Sequence, residues 1–591
     1  MNNIPTWAAE AVWYQIFPDR FCRFNSHNPI TAQDIEGTTP WTLNSSHPWQ
    51  IHPWASDWYA RQDYERANRE SLKTNILRRR YCGDIRGIIS KLDYLKDLGI
   101  NAIYLNPIQY SPSLHKYDGT DFMHVDPFLG SNPLADRDMI EQEDFDDFDN
   151  ACWTSADMEA LELIAEVHNR GMRIVFDGVF NHIGYNSKPF QHVLRFPKFS
   201  RYSSWFLLDL AKSTPEKLCY EKFWGCVDEM PKLNYGSPMV KKYIFAVLKR
   251  WLKPVVNGVE YQGIDGWRLD HVIGVPPSFW KSAYNFTKKL NKNSLFLAEL
   301  IEPNEIVKPY LDNAIFDSVM NYGFYFLACE FFAGERNVIS ALDFDKRLRS
   351  QLSLFPMHCN YLMMNLLGTH DTERLASLIV NRKLKKYDDI ATFFQNTHIE
   401  DKGYVSRSPN ADERLIQKMM IAFEFSMIGS PMVYYGDELG MWGANDPDCR
   451  KPMVWSHLHF TSEHLVKSGR HYRDRVEKVS PSQDMYLFYK NIIALRNYNP
   501  VLSRGTLQTD FAHPRRRILA YSRQGGGDRI IFAFNREKTA VELDIPCCEG
   551  DVFLDYLNSG EELHASQNTV KIALQPLTFR ILIKRTSTNQ S

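Results

Sequence analysis

The sequence predicts a (β/α)8 barrel, an α/β fold, followed by an all-β domain. Three observations carry this. Eight short apolar runs are spread between residues 12 and 435, with helical periodicity between most of them. No Gly-x-Gly-x-x-Gly follows any run, which argues against a doubly wound open sheet. Beyond about residue 500 the chain turns into short β segments broken by Gly525-Gly526-Gly527 and Asn558-Ser559-Gly560.

Taken in order, residues 12–17 form a β-rich run closed by Pro18 and Asp19. A polar, Trp-rich stretch runs to about Trp58, and residues 60–81 form a basic, helix-like segment. Asp84 opens an amphipathic pattern of Ile88, Ile89, Leu92, Leu95 and Leu98 that Gly99 ends before a buried strand at 102–105. Residues 155–170 read as a helix with Ser155 as N-cap and Gly171 as C-cap, leading into a strand at 173–176. Strands at 264–269, 294–298, 314–320, 362–367 and 431–435 complete the eight. The gap from His182 to about Ser237 is too long for a helical connection, so an inserted subdomain is expected there. The expected division assigns residues 1–182 and 238–500 to the barrel, with an insertion over about 22–82. Residues 183–237 form the subdomain and 501–591 a C-terminal β-sandwich. Its strands are expected at 517–523, 529–535, 540–545, 551–556, 569–574 and 578–584, after a long amphipathic helix near 485–496, and the last six residues read as disordered.

Composition excludes several function classes. A chain of 591 residues is too long for a single core. A formal net charge of −2 removes the case for nucleic acid or an anionic membrane as partner. No run of eighteen apolar residues occurs, and the N-terminus lacks a basic-then-apolar leader, so a cytoplasmic location is expected. The ten cysteines are scattered without a Cys-x-x-Cys pair, which speaks against a zinc or redox centre.

In a barrel of this kind the site lies at the C-terminal ends of the strands. Strand three delivers Asp177, Asn181 and His182 there. Strand four delivers Arg268 and Asp270, two apart and so on one side of the strand. Strand five delivers Glu299, and strand seven His370 and Asp371. One charged strand end is ordinarily a cap or a structural ion pair, but carboxylates or histidines at four ends facing one mouth need a use. Two carboxylates on adjacent strands are what glycoside hydrolysis needs, about 5–5.5 Å apart for a retaining mechanism. Arg268 is expected to lower the pKa of Asp270, while the apolar setting of Glu299 is expected to keep that residue protonated.

These motifs resemble the alpha-amylase family of glycoside hydrolases. The resemblance rests on Asp177-Gly178-Val179-Phe180-Asn181-His182, Gly266-Trp267-Arg268-Leu269-Asp270, Ala298-Glu299 and Gly368-Thr369-His370-Asp371, in matching order. Met230-Pro231-Lys232-Leu233-Asn234, His115-Lys116-Tyr117-Asp118 and Tyr434-Tyr435-Gly436-Asp437-Glu438 are similar to the neopullulanase, cyclomaltodextrinase and maltogenic amylase branch. The resemblance implies Asp270 as nucleophile, Glu299 as general acid/base and Asp371 as the third acid. Arg268 would orient Asp270, His182 and His370 would bond the sugar, Tyr117 would stack beneath it, and Asp177 joins the substrate-binding set. No cofactor is implied for the chemistry. Asn181 matches a position that ligates structural calcium in many members, and the loop 19–28 is a second place for an ion; a hydrogen-bonded loop without metal is the competing expectation. The implied substrate is an α-1,4 (or also α-1,6) linked glucan such as a malto-oligosaccharide, cyclodextrin or pullulan. An α-glucosidase or glucosyl transferase, and a non-catalytic carbohydrate-binding homologue, are the alternatives.

Departures from the branch pattern are visible. The barrel starts within about ten residues, so the usual N-terminal β domain that pairs two subunits is expected to be missing, and homo-oligomerisation stays open. Residues 39–81, with Trp41, Trp49, Trp54, Trp58 and Tyr59, either replace part of that domain or pack on the barrel. His271-Val272-Ile273-Gly274 and Leu300-Ile301 replace the usual residues on the leaving-group side.

Overall fold

The computed structural model describes residues 4–35, 48–68, 70–214, 217–335, 338–384, 390–558 and 560–585. Trp41 and the last six residues, expected to be disordered, lie outside this set. Eight parallel strands form the barrel: β1 (Trp13–Ile16), β2 (Ala102–Leu105), β3 (Arg173–Gly178), β4 (Gly266–Leu269), β5 (Leu295–Ala298), β6 (Ser318–Val319), β7 (Met364–Leu366) and β8 (Ser430–Tyr434). They neighbour one another in the order β6-β5-β4-β3-β2-β1-β8-β7, and a parallel bridge from Met320 to Met364 closes the ring. Most strand residues are buried, because side chains fill the barrel and helices cover its outside; this is why the strands read as continuous apolar runs.

The local expectations shift where side-chain chemistry outweighs periodicity. The helix over Ser155–Asn169 is capped by Thr154, not Ser155. Thr154 and Asp157 form a reciprocal capping box, while the Ser155 hydroxyl is bonded to Asp136. Its C-cap is Arg170, with Gly171 following at φ 69°. The pattern after Asp84 is two helices, Ile85–Ile89 and Leu92–Leu98, the second ended by Gly99 at φ 97°. Strand β6 is only two residues long, and the turn before it includes Ala314 at φ 49°. The helix Met357–Leu362 occupies the beginning of the run expected for β7.

The basic segment 60–81 is likewise two helices, Asp63–Ala67 and Leu72–Arg78. Buried Arg79 binds both oxygens of Glu65 at 2.7 and 2.9 Å and fastens this insertion internally. The Trp54 and Trp58 indoles donate to Met453 O and Asp448 Oδ1 of the loop after β8. These rings therefore pack the insertion onto the barrel. Between residues 183 and 237 lie the helix Lys188–Arg195 and a hairpin of Lys222–Phe223 with Val227–Pro231. A three-stranded sheet of Val405–Ser406, Glu463–Lys467 and Arg470–Glu477 escaped the periodicity reading.

After the helix Gln483–Tyr498 come β9 (Thr506–Ala512), β10 (Ile518–Gly525), β11 (Asp528–Asn535), β12 (Val541–Pro546), β13 (Val552–Asp555), β14 (Glu562–His564), β15 (Thr569–Leu574) and β16 (Thr578–Lys584). A six-stranded sheet β9-β10-β11-β16-β13-β14 faces the pair β12-β15 across a core containing Ile518, Ile531, Leu543, Ile572 and Leu582. Polar β9 and three-residue β14 lack the apolar alternation that revealed the others.

Close strand approach in the barrel makes Gly266 a sensitive position. A Cβ there would lie 2.1 Å from the Leu295 carbonyl oxygen on β5. Gly266→Ala is expected to cost about 1–3 kcal/mol and lower the melting temperature by several degrees. Unchanged thermal unfolding would show that β4 and β5 can move apart freely.

Candidate active site

Parallel register brings the two key carboxyls level. Leu269 pairs with Ala298, so Asp270 and Glu299 emerge one residue further along adjacent strands. Their amides remain in the ladder: Asp270 N–H donates to Gly178 O at 3.1 Å and Glu299 N–H to Leu269 O at 2.9 Å. Arg268, also on β4, turns its guanidinium to the same end. Its Nη1 donates to Asp177 Oδ1 at 2.8 Å and to Asp270 Oδ1 at 3.1 Å, and its Nη2 pairs with Glu299 Oε1. Asp177 and Arg268 are fully buried behind the cleft floor, so they support the site from beneath. Asp177 also accepts from the Tyr104 hydroxyl at 2.6 Å and the Tyr117 hydroxyl at 2.9 Å.

A second cluster stands opposite. Arg450 donates through Nη2 to Asp371 Oδ1 at 2.9 Å and through Nε to His370 O at 2.7 Å. Gln15 Nε2 lies 2.9 Å from both Asn106 Oδ1 and His370 Nδ1. The amide's two hydrogens serve these two acceptors, which leaves His370 Nε2 as the protonated ring nitrogen. That N–H faces the Tyr117 oxygen at 2.6 Å and Asp371 Oδ2 at 3.1 Å. The Tyr117 and His370 rings are parallel within 3°. His182 Nε2 donates to the Tyr117 carbonyl at 2.9 Å. Asp270, Glu299, Asp371, His182, His370 and Tyr117 all border one cleft of about 710 Å³. A second hollow of about 790 Å³, lined by Arg80, Tyr110, Arg137 and Glu141 among others, meets it at Leu114 and holds none of these six residues.

The electrostatics depart from expectation in one respect. Burial pushes Asp270 well above the ordinary carboxyl range, Glu299 beside it adds to this, and Arg268 only opposes. Glu299 is raised as well, chiefly by burial and against the pull of Arg268. The expected lowering of Asp270 fails because burial and then Glu299 outweigh Arg268, which is shared among three carboxyls. Against the opposing effect of burial, His370, Arg450 and Arg268 hold Asp371 below its ordinary range. Burial depresses His370 to about 3 and His182 to about 4, so both imidazoles are neutral around pH 7.

Several participants escaped the sequence reading. Gln15, Tyr104 and Asn106 carry a signal that was available: buried polar side chains in or beside apolar strands. Arg450 lies on the loop after β8 and had no local signal. His271, at φ 42°, donates its backbone N–H to Glu299 Oε2, 3.0 Å away. Ile76 and Leu77 of the insertion also border the cleft, so that segment contributes wall as well as packing.

The barrel, the C-terminal sheets and this carboxyl arrangement define a class. A model of the alpha-amylase catalytic domain matches residues 15–142 and 138–505, and one of the maltogenic amylase C-terminal domain matches 510–581. The chain belongs to the alpha-amylase family of glycoside hydrolases. It is 32% identical to neopullulanase 2 of Thermoactinomyces vulgaris over 582 residues, 98% of this chain and 78% of that protein. It is 30% identical to an intracellular maltogenic amylase of Bacillus subtilis (strain 168) over 579 residues, 98% and 77% of the two. Among solved structures it is similar to a cyclomaltodextrinase, with 26% identity, TM-score 0.70 and 98% and 79% of the chains covered.

Three places among the described residues offer ligand-type atoms, and none presents a complete cation site. Asn181 Oδ1 is buried without a hydrogen-bond partner. It abuts Gly274, where an added Cβ would come within 2.1 Å of it. A calcium ion takes six to eight oxygens, and this single amide oxygen pressed on backbone does not provide them. In the loop 19–28, Asp19 is occupied by Arg20 Nε at 2.6 Å and by the amides of Tyr81 and Cys82. The His124–Glu143–Cys152 group is the one cluster of His, Cys, Asp or Glu ligand atoms among the described residues. There His124 is clamped between Asp157 and Glu143, both at 2.8 Å, and Arg250 donates to the same Asp157 oxygen at 2.9 Å. Burial opposes its charge, but Asp157, Glu143 and Asp121 outweigh it and raise His124 to about 10, so it serves as a cation itself.

A histidine raised on folding from 6.5 to about 10 adds stability that is complete below pH 6.5 and lost as pH climbs towards 10. Melting temperature is therefore expected to fall between pH 7 and 10, and His124→Gln should flatten that fall while lowering the neutral-pH value. An unchanged slope in the variant would contradict the charged clamp.

Proposed function

We propose that this chain is a retaining α-glucan hydrolase in which Asp270 is the nucleophile and Glu299 the general acid/base. The observation that carries this reading is the sharing of one buried guanidinium, Arg268, by Asp177, Asp270 and Glu299. Two carboxyls with raised pKa values, level with each other and joined by one cation, hold a single proton between them more readily than none. With that proton on Glu299, Asp270 attacks the anomeric carbon as the anion while Glu299 protonates the departing glycosidic oxygen. Glu299 then takes a proton from water, the water oxygen bonds the anomeric carbon, and Asp270 is released. Asp371, His370, His182 and Tyr117 grip the sugar next to the broken bond, and Asp371 fixed by Arg450 favours the distorted ring of the transition state.

The relatives' names, neopullulanase, cyclomaltodextrinase and maltogenic amylase, support pullulan, cyclodextrins and maltose-yielding α-glucans as the substrates. The name of the Bacillus subtilis relative supports a cytoplasmic location, and no described helix is long and apolar enough to cross a membrane. The chemistry proposed uses side chains alone.

Asp270→Asn and Glu299→Ala are each expected to lose about 10³-fold or more in kcat on maltoheptaose with unchanged circular dichroism. With maltosyl fluoride, whose leaving group needs no proton, azide should rescue Glu299→Ala and yield α-maltosyl azide. Near-normal turnover by Asp270→Asn, or no rescue of Glu299→Ala, would overturn the assignment. A product profile on β-cyclodextrin, pullulan and starch then ranks the substrates.

A further inference from the structure

One acceptor beside the Asp371 cluster is left over. Gln15 Oε1 is buried without a hydrogen-bond partner, although both hydrogens of the same carboxamide are used. A buried carbonyl left alone costs stability, and a carboxamide free to turn over would avoid it. The surroundings therefore hold the Gln15 nitrogen, and not its oxygen, against His370.

The reason lies in the floor of the site. Arg268 Nη1 stands 2.8 and 3.0 Å from the two oxygens of Asp177. Burial favours the neutral form of Asp177, while Arg268 and two tyrosine hydroxyls oppose burial and keep it a carboxylate, which only accepts. The Tyr104 and Tyr117 hydroxyls donate to its Oδ2 at 2.6 and 2.9 Å. A phenol has one hydrogen, so both tyrosine oxygens then offer only lone pairs. Asn106 must face them with Nδ2, which donates to Tyr117 at 3.0 Å and reaches Tyr104 at 3.5 Å. That turns Asn106 Oδ1 towards β1, where Gln15 meets it with Nε2–H at 2.9 Å. The second Nε2 hydrogen points at His370 Nδ1, also 2.9 Å away, which is therefore the lone-pair nitrogen. The orphaned Gln15 oxygen is what remains once every other partner is assigned.

The opposite tautomer shows what this order prevents. With the proton on Nδ1, a lone pair on His370 Nε2 would stand 3.1 Å from Asp371 Oδ2. Two acceptors would then repel each other at the place where the third acid meets the sugar. We propose that Gln15 is a positioning residue of the reaction: at the end of the line Asp177–Tyr117–Asn106–Gln15, it holds His370 as an Nε2–H donor and so keeps Asp371 aligned on the sugar next to the broken bond. Asp177, fully buried, heads this line and acts without touching the sugar. The inference rests on the reading of His370 and Asp371 as sugar-binding groups beside the Asp270–Glu299 pair.

Two measurements test it. Nitrogen NMR on wild-type enzyme carrying isotope-labelled histidine, with His370 identified by its loss in His370→Asn, should show an unprotonated Nδ1 and a protonated Nε2 at neutral pH. A protonated Nδ1 would overturn the proposal. Gln15→Leu, which keeps the bulk and removes both hydrogens, is expected to lower kcat on maltoheptaose about tenfold with KM changed less than twofold. In the His370→Asn background the same substitution should cost less than twofold, because a residue acting through His370 has nothing left to act on. Unchanged kcat in Gln15→Leu, or the same loss in both backgrounds, would overturn the role. Should Gln15→Leu fail to fold, the wild-type tautomer decides alone. Failure of the catalytic reading shows separately, as a wild-type enzyme that turns over no α-glucan while its His370 tautomer is still measured.

Discussion

The buried guanidinium of Arg268 is the interaction on which the site depends. A cation with no exposed surface is tolerable only if carboxylates surround it, and three do. Each of those carboxyls is itself buried, so none of the four charges is stable alone. The parallel register of β3, β4 and β5 makes the arrangement possible, because Arg268 pairs with Asp177 on one side and Leu297 on the other. Strand pairing thus sets the spacing of the charges before any side-chain choice is made. The consequence is electrostatic: burial, together with an excess of negative over positive groups, raises both Asp270 and Glu299 above the ordinary carboxyl range.

The rest of the cleft divides the work around this centre. Tyr117, His370 and Asp371 form one rigid unit held by Gln15, Asn106 and Arg450, and its imidazole stays neutral, so its N–H placement does not change around neutral pH. The insertion fastened by Arg79, Trp54 and Trp58 supplies Ile76 and Leu77 to the wall. The subdomain hairpin supplies Phe223 and Trp224. The insertion is one place where this chain departs from the sequence pattern of its branch, whereas the charged strand ends of the floor follow it.

Legibility in the sequence followed the same division. The barrel strands could be read because full burial writes continuous apolar runs, and the catalytic candidates because each run ends abruptly in charge. Gln15, Tyr104 and Asn106 are not legible in this way, because a single polar residue in or beside an apolar strand carries no meaning until the fold supplies its partners. Arg450 sits on the segment after β8, where no periodicity marks its place beside Asp371. Asp270 differs for another reason: adjacency in sequence points to a two-body pair with Arg268, but the fold buries Asp270, sets Glu299 beside it and shares Arg268 with Asp177 and Glu299. The cap at Thr154 in place of Ser155 is the same lesson in miniature, since Asp136 claims the serine hydroxyl.

The most direct measurement of this account is the site of covalent capture by a 5-fluoro-maltosyl fluoride, which forms the glycosyl–enzyme quickly and loses it slowly. After proteolysis, mass spectrometry should find one maltosyl adduct, on the peptide containing Asp270, with none in Asp270→Asn. An adduct on Glu299, or release of the inverted anomer with no adduct on any carboxylate, would contradict it.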